Sequence, residues 1–157
     1  METDDHSHAT VRSGRAAGRD AAMMRAAAVC SWLLSLGFGL PGGYAIWYFA
    51  EHGAMWTFLG YPTYGYGPFE DIGLRTSVPL LSAFLLVCVA EFVAGWLLWR
   101  RRPAGTRLAL ALLPFEFAFW IGFALPFGPV AGLARTVLVA ISGRRPRPVT
   151  APDDPSS

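Results

Sequence analysis

The sequence predicts an all-α, polytopic membrane protein in which four transmembrane helices form a bundle with both termini on the cytoplasmic side. Two observations carry the fold class. Of 157 residues 54% are hydrophobic and only 15% are charged, against about a quarter charged in soluble domains. The charges also avoid long tracts: none lies between Arg25 and Glu51, and only Glu91 interrupts Val78 to Trp99. About 20 residues at 1.5 Å rise cross the roughly 30 Å hydrocarbon core of a bilayer. A third observation, the distribution of arginine, gives the number of spans and their direction.

Residues 1–25 read as a disordered cytoplasmic tail, because Ser, Gly, Arg and Asp dominate it and few apolar side chains could pay for order. The first span is 26–50, expected to kink or hinge at Pro41 within "GLPGG". Its long polar leader and the absence of a small-x-small cleavage pattern predict a retained helix rather than a signal peptide. Residues 51–77 form a loop. The second span is 78–99, entered through Pro79, whose missing N–H is not needed in a first helical turn. The third is 108–125, and the prolines of "LPFGP" turn the chain into the fourth, 129–142. Residues 143–157 are again a disordered cytoplasmic tail in composition.

The fourth tract, about 14 residues, reaches only some 21 Å along a helix, so charge must decide whether it spans. Arg12, Arg15, Arg19 and Arg25 precede the first span, Arg100, Arg101, Arg102 and Arg107 follow the second, and Arg144, Arg145 and Arg147 follow the fourth. The loop 51–77 and the turn near Gly128 hold only Arg75 between them. Four spans put every arginine cluster inside, whereas three would place the C-terminal one outside. Arginines after Ser142 can snorkel and lengthen the last helix in effect. The aromatics agree, with Tyr44, Trp47 and Tyr48 at the outer end of the first span and Trp96 and Trp99 at the inner end of the second.

All basic side chains other than the histidines are Arg, and Lys, Asn and Gln are absent, a codon bias expected of a GC-rich bacterial genome. The expected location is therefore the bacterial cytoplasmic membrane. A formal net charge of +2, with no basic stretch carrying base-stacking aromatics outside the membrane, argues against nucleic acid as a partner. The expected partners are the lipid bilayer and either another membrane protein or further copies of the chain.

Several motifs imitate known sites. "GFGLPG" (Gly37 to Gly42) has the letters of a dinucleotide-binding turn but lies inside a span, with no strand before it. Close helix packing is the better reading, through Gly39 and Gly43 and again through Gly128 and Gly132. "TYGYG" (Thr63 to Gly67) resembles a potassium-channel filter with Tyr64 in place of Val, yet Gly53, Gly60 and Pro62 crowd the segment that would have to form a pore helix. An ordered aromatic loop on the outer membrane face is expected instead. Cys30 and Cys88 fit neither a redox nor a zinc spacing and read as packing residues. His6 with His8, and His52 with Glu51, Glu70 and Asp71, are possible cation ligands, but solvated charges are the plainer reading. No cofactor and no metal is expected. No Ser/His/Asp set, thiol pair or metal triad falls within reach, so an enzyme is not the expected class.

The residues that do not fit hydrocarbon are Glu91, Glu116 and Arg135. Glu91 lies 8 residues before Trp99 and Glu116 lies 8 after Leu108, each about 12 Å from the cytoplasmic face, and Arg135 is roughly 10 Å in. Three helices thus place their central charges at one depth. A central Arg costs about 2.5–3.5 kcal/mol to insert, which the apolar residues of the fourth tract barely offset at roughly 0.3–0.6 each. Arg135 therefore needs a carboxylate, expected to be that of Glu116, with Glu91 as the second, titrating carboxyl. Two carboxylates and one guanidinium leave one excess negative charge, so one carboxyl is expected to hold a proton near neutrality. A register-fixing ion pair and a proton- or ligand-binding site are both open readings of these three residues. Pro114 breaks the local helix ladder, and either leaves the Leu110 carbonyl available to the site or simply kinks the helix.

The stretch "AEFVAGWLLWRRRPAGTRLALAL" (Ala90 to Leu112), with Glu91, Gly95, the Leu97–Leu98 pair, Gly105 and Arg107, resembles the second-to-third-helix segment of DoxX-like membrane proteins. The resemblance covers about a third of the chain. It implies a four-helix bacterial protein, and since some members are subunits of membrane oxidoreductase complexes, an accessory or structural subunit. The long outer loop, "PFEFAFW" and Arg135 depart from that pattern, and no catalytic residue carries over. The alternative is a proton-coupled small-molecule transporter using Glu91 or Glu116. A third class is intramembrane acid–base isomerisation of a lipid-like molecule.

Overall fold

The computed structural model describes residues 4–125 and 127–142, with side chains from Gly18 onward. Helix α1 runs Asp4–His52, followed by a short hairpin of β1 (Thr57–Phe58) and β2 (Tyr61–Pro62) and a single turn of helix, α2 (Pro68–Asp71). Helices α3 (Val78–Trp99), α4 (Pro103–Gly122) and α5 (Gly128–Ser142) complete the chain. Three helices are long and apolar enough to cross a membrane: the Gly18–His52 part of α1, α3 and α4. The apolar α5 is shorter, about 22 Å long for its 15 residues.

Helix α1 begins far earlier than composition suggests. Residues 4–25, read from sequence as a disordered tail, are helical from Asp4. Extending an existing helix avoids the cost of nucleation, and the Ala, Met and Arg residues of this stretch are strong helix formers. The apolar span thus acts as the nucleus on which the polar segment propagates. The helix also continues through Pro41, whose missing N–H deprives the Gly37 carbonyl of its usual donor. One residue along, the Phe38 carbonyl accepts a hydrogen bond from the Tyr64 hydroxyl at 2.8 Å. Residues 143–157, expected to be a second tail, lie outside the described residues.

Helix α4 starts at Pro103, a full turn before the expected Leu108, because proline suits the first helical turn. It ends at Gly122, before the expected Leu125, and Ala124 takes a left-handed φ of 53° in the turn that follows.

The helices form a ring. Helix α1 packs on α3 and α5, and α4 packs on the same two, while the diagonal pairs α1/α4 and α3/α5 make no backbone approach among the described residues. Small residues set the close contacts. A side chain at Gly128 or Gly132 would collide with the indole of Trp120, so this small-residue pair forms a slot for a ring on α4 rather than a bare helix-to-helix contact. Gly39 faces the Cys88 side chain, but Gly43 faces open space.

Outward faces are apolar on every long helix: Leu33 and Leu40 on α1, Leu86 and Val89 on α3, Phe115 and Ile121 on α4, and Val130 and Leu133 on α5 are exposed. Such extended apolar surface belongs against lipid. Aromatic rings mark both ends. Arg25 sits over Trp99 and Arg100 over Trp96 at one end, and Tyr44 packs on Trp47, Tyr48 and Trp56 at the other.

The connection between α1 and α3 is folded. Thr57 pairs with Pro62 and Phe58 with Tyr61 around Leu59 and Gly60, both at positive φ (52° and 83°), as a tight primed hairpin turn requires. Tyr64 and Tyr66 are also left-handed, at 63° and 55°, a conformation that costs a non-glycine residue about 1–3 kcal/mol and persists only where its surroundings enforce it. Tyr61 and Tyr66 stay exposed, whereas Tyr64 is only 2% exposed. Its ring enters the bundle and packs on Phe84 and Phe123, and Thr76 Oγ1 donates to its carbonyl at 3.0 Å.

Candidate functional site

Glu91, Glu116 and Arg135 come together at the centre of the ring. They lie between two apolar clusters, one of Ala27, Ala28, Ala94, Leu98, Ala109 and Val139 toward the Arg100 end and one of Ala45, Tyr64, Leu81, Phe84, Cys88 and Phe123 toward the loop end. Arg135 is 0% exposed and both glutamates are 3% exposed. Because α3 and α5 are diagonal in the ring, the long Arg135 side chain is what joins them, crossing the bundle axis to reach Glu91.

The guanidinium divides its donors unequally. Nη1 donates to Glu91 Oε1 and, at 2.9 Å, to Glu116 Oε1. Nη2 donates to Glu116 Oε2 at 2.9 Å and to the Ala109 carbonyl at 3.3 Å. Glu116 thus receives a two-toothed fork, the strongest geometry open to an arginine and a carboxylate, while Glu91 is held by one oxygen. Among the described residues, the buried side-chain polar atoms left without a partner are Glu91 Oε2, Arg135 Nε and Ser31 Oγ.

The carbonyl that serves the site is that of Ala109, not the Leu110 carbonyl that Pro114 could have freed. Ala109 is buried and Leu110 is exposed on the outward face. A step of one residue turns a helix position by about 100°, enough to move a carbonyl from the interior to the lipid side.

A cavity of about 20 Å³ adjoins the cluster, lined by Ser35, Phe84, Cys88, Glu91, Glu116 and Trp120 among others. Its accessible wall is apolar, and with room for little more than the roughly 10–15 Å³ of one water it is too small for an organic solute. The Ser35 hydroxyl donates to the Cys88 carbonyl at 2.7 Å. The same two residues also line a larger groove of about 330 Å³ on the outside of α1 and α3, with Gly39, Leu85 and Phe92. Ser35 and Cys88 thus line both the carboxyl cavity and the outward groove.

The other candidates do not assemble. His52 stacks on Tyr48 at 4.3 Å with Nδ1 3.1 Å from the Tyr48 carbonyl, Glu70 Oε1 lies 3.2 Å from Thr76 Oγ1, and no metal-capable group of His, Cys, Asp and Glu occurs among the described residues. The side chains of His6 and His8 lie outside the described residues. "GFGLPG" is embedded in α1, and "TYGYG" supplies a buried tyrosine in a folded loop. Cys88 is a buried free thiol and Cys30 a half-buried one.

Sequence reasoning missed Ser31 and Ser35, whose spacing of four residues in an apolar tract put both hydroxyls on one face of α1. It also missed Tyr64 as the residue that closes the loop end of the bundle, for which no local signal exists. Burial raises the Tyr64 phenol above its usual range, with a smaller contribution from the Cys88 thiol.

Comparison of the chain with protein-family models, with curated proteins and with solved structures finds no match.

Proposed function

We propose that the chain is a small multi-pass subunit of a bacterial cytoplasmic-membrane complex, with four spans, both termini cytoplasmic and the 51–77 loop outside. In this reading it is of DoxX-like, accessory or structural character. The arginine distribution supports the orientation. The observation that carries a structural role is the way Arg135, fully buried, is shared by carboxylates from two other helices beside a cavity of only about 20 Å³. The cluster locks the short α5 into the bundle and leaves no room for a transported solute. Mild detergent extraction followed by affinity purification of the tagged chain tests this reading. A stoichiometric membrane-protein partner or a defined homo-oligomer is the expected result, and a lone monomer that catalyses solute uptake in proteoliposomes would refute it.

A second reading, proton-coupled transport through Glu91 or Glu116, is favoured by one observation, the unpartnered and buried Oε2 of Glu91. The uptake assay distinguishes it from the first.

A further inference from the structure

We infer that the outward seam between α1 and α3 binds one anionic phospholipid, its phosphate held by Arg25 and Arg100 and an acyl chain laid in the groove between Phe92 and Leu85. The inference rests on the multi-pass reading of the chain, not on the direction in which the chain crosses. Three features lie in line along the seam.

At its Arg100 end are two oriented cations. The Arg25 guanidinium lies 5.5 Å from the centre of the Trp99 ring, and that of Arg100 lies 4.9 Å from the centre of the Trp96 ring. Trp96 and Trp99 are neighbours on one face of α3, so the two charges sit within a turn of one another along the bundle. Contact with a ring face orients a guanidinium and leaves its N–H edge able to donate. Among the described residues no carboxylate pairs with either arginine. Both are exposed, at the level where interfacial tryptophans meet phospholipid headgroups. A lipid phosphate supplies the missing counter-charge.

Next along the seam is a floor of rings. Trp32 of α1 packs on Trp99 at 5.5 Å and on Phe92 at 6.1 Å, and its Nε1–H donates to the Phe92 carbonyl at 3.3 Å. Gly95 makes room for the indole, because a Cβ there would stand 2.9 Å from it. The ring is locked across the seam and gives a lipid chain an apolar surface as it leaves the headgroup level.

Phe92 then opens the groove of about 330 Å³, walled by Leu36 and Leu40 of α1 and by Leu85 and Val89 of α3. Gly39 brings the helices close at its floor, where a Cβ would stand 3.2 Å from that of Cys88, and the Ser35 hydroxyl there is already bonded to the Cys88 carbonyl. Counted along α3 from Trp99, Phe92 is about 10 Å deep and Leu85 about 21 Å. A leaflet is about 15 Å deep, half the hydrocarbon core, so a phospholipid anchored at the arginines lays the end of its chain in the groove. A partner helix is the poorer occupant. Membrane helices attract one another through free polar groups and exposed small residues; the floor offers a satisfied hydroxyl and a buried glycine, and a helix would leave both arginines without a counter-charge.

The test is native mass spectrometry of the detergent-extracted, delipidated chain, titrated with phosphatidylglycerol or with phosphatidylcholine of the same acyl chains. Wild type is expected to retain one phosphatidylglycerol, with a preference over phosphatidylcholine of about tenfold or more, the scale on which two arginines attract anionic lipid. Arg25→Gln combined with Arg100→Gln is expected to abolish the preference. Arg107→Gln, at an exposed arginine of α4, which makes no backbone approach to α1, is expected to keep it. Val89→Trp and Leu36→Trp, each filling the groove from an exposed position, are expected to weaken binding of both lipids without lowering the melting midpoint of the delipidated chain. Equal binding of the two lipids by wild type overturns the inference, and so does a loss of preference in R107Q as large as in the double variant. Undiminished binding in V89W and L36W overturns the part played by the groove. A delipidated dimer that V89W or L36W dissociates would put a second copy in the seam and overturn the lipid as its occupant. A chain recovered from cells without detergent would instead overturn the membrane reading itself.

Discussion

Arg135 and Glu116 meet edge to edge, Nη1 on Oε1 and Nη2 on Oε2, each at 2.9 Å, and this fork joins the short α5 to α4. Glu91 completes the cluster from the opposite side of the ring. The expected pairing of Arg135 with Glu116 is thus present in the structure, but the arginine holds both carboxyls rather than one.

Removing one partner of a buried ion pair strands the other charge, at a cost of about 3–5 kcal/mol, whereas replacing both by apolar residues can be close to neutral. Arg135→Leu is therefore expected to lower the melting midpoint in detergent sharply. Glu116→Leu combined with Arg135→Leu is expected to recover most of the loss, since the fork is then removed as a pair and neither of its charges is stranded. Equal stability of all single variants and wild type would mean that the cluster does not hold the bundle together.

For the orientation, single cysteines at Ser7, Thr63 and Ser156, in a chain lacking Cys30 and Cys88, are to be labelled with an impermeant thiol reagent in intact cells. Position 63 is expected to react while 7 and 156 are protected. The opposite pattern would reverse the topology and remove the shared cytoplasmic depth from the account of the three charges.

Tyr64 ties the 51–77 loop to α1 and fills the loop end of the bundle. Tyr64→Ala should cost about 3–5 kcal/mol, as other buried aromatic truncations do, and should make the loop a protease target in vesicles. Tyr64→Phe should lose only about 1 kcal/mol with the hydrogen bond. Because burial raises the phenol above its unfolded value, the folded state holds the proton more tightly. Its stability contribution is complete below about pH 10 and is lost as pH rises beyond that value. The wild type should therefore lose stability in strong alkali more steeply than Tyr64→Phe. Parallel alkaline curves would show that the phenol is not buried.

The slot between Gly132 and Trp120 has no space for a methyl group. Gly132→Ala is expected to destabilise by about 1–3 kcal/mol through overpacking, and Trp120→Leu in the same chain should relieve part of it. A Gly132→Ala protein as stable as wild type would show that α4 and α5 do not pack through this ring.

Sequence alone determined what depends on the chain's own geometry. A helix rises by a constant 1.5 Å per residue, so the depths of Glu91, Glu116 and Arg135 were legible before any packing was known, and their common level pointed to a meeting. Apolar length likewise identified α1, α3 and α4 as the helices able to cross a membrane. Tertiary structure decided what depends on which faces turn toward one another. The fork on Glu116 and the single bond to Glu91, the Ala109 carbonyl in place of that of Leu110, and the Trp120 slot all follow from the rotation and ring order of the helices. That order is a collective outcome of packing and is written in no local stretch. Tyr64 is the limiting case. Its neighbours Tyr61 and Tyr66 have the same side chain and remain exposed, and only the backbone path set by the hairpin, Thr76 and the mouth of the bundle sends this one ring inward.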